Sequence, residues 1–229
     1  MLLLLLAATS SSAACERSVM YILRGQYDAA LQQLEGARSG GASPADVDNL
    51  RGLAELGQGD AKKALASFDR ALMANANHPE AKFNRAVALL RLAQDAKAAE
   101  ALEPIAKSDS PLRGDAAYHL GLALDRLGRP ADAETWLERA MTYDSKLDAA
   151  LLLIGRLRER RRDHQGAGRA YFDYLKKHPE STAAMLRFGI SAHRAGRIDV
   201  ARSYLNKVIA ADPRSYEATE ARKYLVMWE

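Results

Sequence analysis

Gly59-Asp-Ala-Lys-Lys-Ala64-Leu-Ala-Ser-Phe68-Asp-Arg-Ala71 decides how this chain folds, because its spacing returns along the sequence. Ala64 is one of six alanines, Ala30, Ala64, Ala98, Ala133, Ala167 and Ala201, set 34, 34, 35, 34 and 34 residues apart. Twelve residues ahead of five of them stand small residues, Gly52, Ala86, Gly121, Gly155 and Gly189. Four residues behind comes a large side chain: Leu34, Phe68, Leu102, Leu137, Tyr171 and Leu205. Three further on are Ala37, Ala71, Ile105, Ala140, Tyr174 and Val208. A period of this length marks an array of like units, each too small to bury its own apolar side. The small residues allow two helices to approach closely, and the large one is expected to fill the gap toward the next pair. Gly25, Gly59, Gly128 and Gly196 stand at the expected turn within a pair, where glycine adopts positive φ at least cost.

Composition agrees. The 229 residues are 48% hydrophobic with only 7 prolines, enough chain for a sizeable core. The formal net charge of +4 is mild over this length and weakly favours acidic partners. A single cysteine, Cys15, excludes an internal disulfide and a cysteine-based zinc site.

The periodic pattern resembles the tetratricopeptide repeat, a helix-turn-helix unit of about 34 residues. The resemblance covers nearly all of the chain after Cys15. It implies an all-α, right-handed superhelical solenoid of about six hairpins plus a C-terminal capping helix. The expected segments are 1–14, a signal peptide; 15–44, a truncated first repeat; 45–78, 79–113, 114–147, 148–181 and 182–214, repeats two to six; and 215–229, the cap. Three departures stand out. Helix A of the first repeat is expected to start only after Cys15. Ala93 replaces the turn glycine of repeat three. Pro104 inside helix B of that repeat should kink or shorten it. In the cap, Trp228 is either packing or a surface anchor.

In this family helix A of each repeat lines a groove that takes ligands. By register, Asn49, Leu53, Phe83, Val87, Leu90, Tyr118, Leu122, Leu152, Arg156, Leu186 and Ile190 would face it. The apolar members form either an exposed stripe for an amphipathic or extended peptide, or packing between neighbouring A helices. Arg91, Arg126, Arg160 and Arg194 recur 35, 34 and 34 residues apart. Such a ladder suits an acidic segment or a chain terminus, and equally a cation at a helix C-terminus. The run Arg156-Leu-Arg-Glu-Arg-Arg-Arg162 carries five arginines with no interleaved aromatic residue and no nucleic-acid-binding motif, so no nucleic-acid partner is expected.

Met1-Leu-Leu-Leu-Leu-Leu-Ala-Ala-Thr-Ser-Ser-Ser-Ala-Ala-Cys15 reads as an export signal, with a short apolar run and small residues up to the cysteine. It lacks a charged n-region, so the true start is expected upstream unless that region is minimal. Ser12-Ala-Ala-Cys15 resembles a bacterial lipobox, although Ser12 replaces the usual aliphatic residue. The resemblance implies lipid attachment, with acyl chains such as palmitate, at Cys15. Glu16, in place of Asp, implies sorting to the outer membrane, facing the periplasm. Ordinary secretion after Ala14 is the competing reading.

No HExxH, paired histidines at metal spacing, phosphate loop or nucleophile elbow occurs. The five histidines are scattered, and His119 and His193 are read as surface or ligand contacts. The expected protein is therefore no enzyme and needs no metal or cofactor. Six such repeats behind a lipobox resemble the lipoproteins that assist type IV pilus secretin assembly. That implies a membrane-anchored scaffold whose protein partner is an outer-membrane secretin. The alternatives are another envelope adaptor, for secretion, polysaccharide export or cell-wall machinery, or a cytoplasmic co-chaperone-type repeat protein.

Overall fold

The computed structural model describes residues 13–38 and 40–228. Among these are thirteen α-helices and no strand. They group into two compact units, one ending at Gly128 and one beginning at Arg129. The first holds α1 (Ala13–Leu23), α2 (Tyr27–Glu35), α3 (Pro44–Gly57), α4 (Ala61–Ala74), α5 (Pro79–Arg91), α6 (Asp95–Ala106) and α7 (Arg113–Arg126). The second holds α8 (Pro130–Tyr143), α9 (Ala149–Arg160), α10 (His164–Lys177), α11 (Thr182–Arg194), α12 (Ile198–Ala211) and α13 (Tyr216–Met227). Within each unit, successive helices pack on one another, and α1, α3, α5 and α7 also touch in sequence. The expected signal segment, apart from Ala13 and Ala14, lies outside the described residues.

Local chemistry sets the helix ends. Asp60 and Asp163 cap α4 and α10, accepting from the N–H of Lys63 at 3.1 Å and of Gly166 at 2.8 Å. His78 caps α5 through Nδ1, 3.3 Å from the Ala81 nitrogen. Pro44, Pro79 and Pro130 occupy first turns, where the missing N–H has no intrahelical partner to lose. One wrap closes five of the inner turns. The N–H groups of Gln26, Asp60, Gln94, Asp163 and Arg197 donate to the carbonyls of Tyr21, Glu55, Leu89, Arg158 and Ala192 at 2.8 to 3.0 Å. That wrap needs a left-handed residue. Gly59 supplies it at φ +87°, but Ala93 at +56° and Arg162 at +61° adopt it as well. Pro104 lies in the last turn of α6, which spans 12 residues against 14 in α4, α8, α10 and α12.

Close approach works differently from the expectation. The large residue of helix B sits on the small residue of its own hairpin. A Cβ on Gly52 would lie 2.5 Å from the Phe68 ring, and one on Gly155 would lie 2.5 Å from the Tyr171 ring. One on Gly189 would meet Leu205 at 2.9 Å. These rings and chains are wholly buried, so these three hairpins are each locked by a knob entering a glycine notch.

The first hairpin corrects another expectation. Helix α1 begins at Ala13, ahead of Cys15, and Cys15 is 1% exposed within the core formed with Ile22, Ala30 and Leu34. At the other end Trp228 stacks on His193, with centroids 3.6 Å apart and planes at 3°. It joins Leu186, Ile190 and Leu205 in the terminal core, so it serves as cap packing.

Candidate partner-binding site

In the first unit, the A-helix positions read from register are joined by a buried polar and aromatic chain. Asn84 Nδ2 donates to Asn49 Oδ1 at 2.9 Å, linking α5 to α3. Phe83 meets the His119 ring edge-on at 5.6 Å, and Tyr118 does so at 5.4 Å. His119 is buried, contrary to its reading as a surface contact. Burial, helped by the nearby charges of Arg91 and Arg126, lowers its pKa to about 4. The neutral ring acts as a spacer between helices.

Asn49, Leu53, Phe83, Val87 and Leu90 are all buried here, and so are Leu186 and Ile190 in the second unit. At these seven positions the side chain fills packing space, so none contributes to an exposed apolar stripe. Leu186 and Ile190 lie in the core shared with α13. Tyr118, Leu122 and Leu152 remain partly exposed. Of these, Leu152 leans on the core of Tyr171 and Phe188.

The ladder arginines Arg91, Arg126, Arg160 and Arg194 are exposed, as is Arg156. Arg126 is already employed. Its Nη1 donates to the Leu90 carbonyl at 2.9 Å and pairs with Asp95 at 3.3 Å, which ties the end of α7 to the end of α5 and the start of α6. A cation here satisfies a carbonyl at a helix C-terminus. Within the arginine run, Arg158 pairs with Glu134 at 2.7 Å and Glu138 at 3.3 Å, and Arg161 also pairs with Glu134. The run is in part an ion-pair network binding α9 to α8.

Among the described residues no group of three or more His, Cys, Asp or Glu side chains is placed to hold a metal ion. Nor is any described helix long and apolar enough to cross a membrane. What the two units offer is extended helical surface with exposed guanidinium groups, an arrangement suited to docking protein segments.

A family model described as tetratricopeptide repeat matches residues 21–81, 49–103, 83–146 and 152–216. The chain belongs to the tetratricopeptide-repeat family. This fold is typically an interaction scaffold for protein or peptide partners. No curated protein matches the sequence. Among solved structures, PilF of Pseudomonas aeruginosa matches 93% of this chain with 96% of its own, at 20% identity and a TM-score of 0.80. PilW, described as a widely conserved type IV pilus biogenesis factor, matches 90% of this chain with 96% of its own, at 19% identity and a TM-score of 0.81. YrrB, described as having an unusual peptide-binding site, matches 78% of this chain with 92% of its own, at 20% identity and a TM-score of 0.62. At these identities the likeness is one of fold.

The sequence reading missed the buried links behind the A helices. Their signal was available: polar side chains at Asn49, Asn84 and His119 recur 35 residues apart in otherwise apolar helices. Of these, Asn49 and Asn84 bond to each other, as buried polar groups tend to, whereas His119 is held by its ring contacts.

Proposed function

We propose that the chain is a periplasmic assembly adaptor of the cell envelope, anchored by lipid at Cys15, whose partner is a type IV pilus component, in the first instance the outer-membrane secretin. One observation carries this reading: the repeats match PilF and PilW over at least nine-tenths of this chain with TM-scores of 0.80 and 0.81. The export-like stretch that ends at Cys15 supports the location. Acyl chains on one residue suffice to hold a protein at a membrane surface.

The burial of Cys15 bears on the anchor. Acylation requires the thiol to leave the α1 core, and its place in the first turn of that helix makes the required opening local. The same burial favours a second reading, in which the chain is exported without a lipid and acts as a soluble adaptor.

Mass spectrometry of the mature N-terminus, with fractionation of wild type and Cys15→Ala, separates the two. A diacylated Cys15 and loss of membrane association in Cys15→Ala are expected. An unmodified, soluble mature protein would replace the anchored reading with the second. Affinity capture from envelope extracts should bring down the secretin, and its repeated absence would redirect the search to other envelope machinery.

A further inference from the structure

The second unit contains a cleft that is separate from the A-helix positions discussed above. It lies between the starts of α10 and α12 and the end of α11, with a volume of about 300 Å³. Its floor is aromatic. Phe172 and Phe188 have centroids 5.5 Å apart, and Phe188 meets Tyr204 in a T-shape at 4.6 Å. Phe172 is 42% exposed, with Lys176 Nζ 5.3 Å from its ring centroid.

Gly168, a buried residue early in α10, lines the cleft. A Cβ placed on Gly168 would meet nothing closer than 3.9 Å, the nearest atoms being on Phe188 and Ser191. Gly168 thus differs from Gly52 and Gly155, whose space is filled by a ring. A glycine inside a helix costs roughly 1 kcal/mol relative to alanine, and here no intramolecular contact explains it.

The rim is positive. Arg169 and Arg197 line the cleft, and Lys207 lies 4.5 Å from the Tyr204 ring centroid. None of the three makes an ion pair among the described residues, and no carboxylate lines the cleft. A larger cleft in the first unit, of about 540 Å³ between α4, α5 and α6, is also edged by cations, Lys82 and Arg85, but lacks the aromatic floor. No aromatic residue lines it, and its Arg85 is paired with Asp69 at 2.6 Å.

We propose that this cleft is a docking site for an acidic protein segment that inserts one aromatic side chain over Gly168. The inserted ring would find edge and face partners in Phe172, Phe188 and Tyr204. Carboxylates flanking it in the segment would meet the guanidinium groups of Arg169 and Arg197. The site does not depend on the envelope reading, and a scaffold in any compartment could use it.

The test uses the whole chain and the synthetic peptide Ac-Glu-Asp-Phe-Asp-Glu-NH2, followed by calorimetry and by amide chemical shifts. Saturable binding is expected, with shifts confined to α10, α11 and α12. Gly168→Leu fills the cleft and should weaken binding about tenfold, whereas Gly168→Ala should stay within about twofold. Replacing the peptide's Phe by Ala, or its acids by Lys, should each cost about tenfold. The proposal is overturned by an absence of saturable binding, by shifts centred outside these helices, or by equal affinity for the Ala or Lys peptides. A folded Gly168→Leu variant that binds like wild type would overturn it as well. If that variant proves unfolded, the shift map and the peptide series still decide.

Discussion

The two units are built from one repeat yet hold themselves together differently. Through Gly128 the interior is punctuated by polar groups: Asp48, Asn49, Glu55, Asn84, Asp115 and His119 are all buried, whereas beyond Arg129 Ser191 is the only polar or charged residue buried to this degree among the described residues. Asp48 accepts from Arg38 and, at 3.4 Å, from Arg70, and Glu55 accepts from Ser67 at 2.5 Å. The second unit relies on rings, with Tyr171, Phe188, Tyr204 and Trp228 as its wedges. Directional bonds can specify which hairpin pairs with which, because a mismatch leaves a buried group unsatisfied. Ring packing is less particular, and in this unit it leaves an aromatic cleft open to a partner.

Four experiments would break or sharpen that contrast. Tyr171→Ala removes the wedge over Gly155 and should cost about 4 kcal/mol in chemical denaturation. A loss below about 1 kcal/mol would mean that rings do not hold the second unit.

His119 tests the first unit through acid. Its folded pKa of about 4 is below the ordinary value of 6.5, so the neutral ring favours folding. That contribution is fully present above pH 6.5 and is lost as pH falls toward about 4. His119→Phe keeps an aromatic spacer and should gain on wild type by about 3 kcal/mol between pH 7.5 and 4. Parallel stability curves for the two proteins would contradict the buried neutral imidazole.

Asp48→Ala should cost about 2 kcal/mol, since it removes two charge-assisted bonds while both arginines stay partly in solvent. An equal penalty for deleting Ser191 in the second unit would erase the contrast. The smallest effect is shared. Ala93→Gly and Arg162→Gly should each stabilise by about 1 kcal/mol, because both relieve a left-handed residue. Differing gains, read from thermal unfolding, would show that the two turns are not equivalent.

Much of the fold was legible before any coordinates. The alanine beat, the turn glycines and the shortening at Pro104 follow from local rules, and a helix surface repeats on a fixed angular period. Ala93 was visible as a missing glycine. Arg162 was overlooked because it lies within an arginine run that drew attention as charge. The candidate site was far less legible. Register gives the direction of a side chain around its helix, and it gives nothing of the depth at which that chain ends. Phe83 points where expected, but the ring of His119, one repeat on, lies against it. Arg126 stands on its ladder, and its Nη1 is engaged by the Leu90 carbonyl and Asp95. Gly168 carried a faint signal, being a glycine inside helix B.

By itself the sequence determined that paired helices repeat about every 34 residues, that glycine-type turns join them, and that small and large residues alternate along them at fixed spacing. Those properties depend on neighbours close in the chain. Only the tertiary structure decided that Cys15 lies inside a core, that the apolar A-helix positions are largely consumed by packing, and that Phe172, Phe188 and Tyr204 meet at a cleft beside Gly168. Each of these depends on side chains from different hairpins competing for the same volume, and a one-dimensional period does not encode which of them fills it.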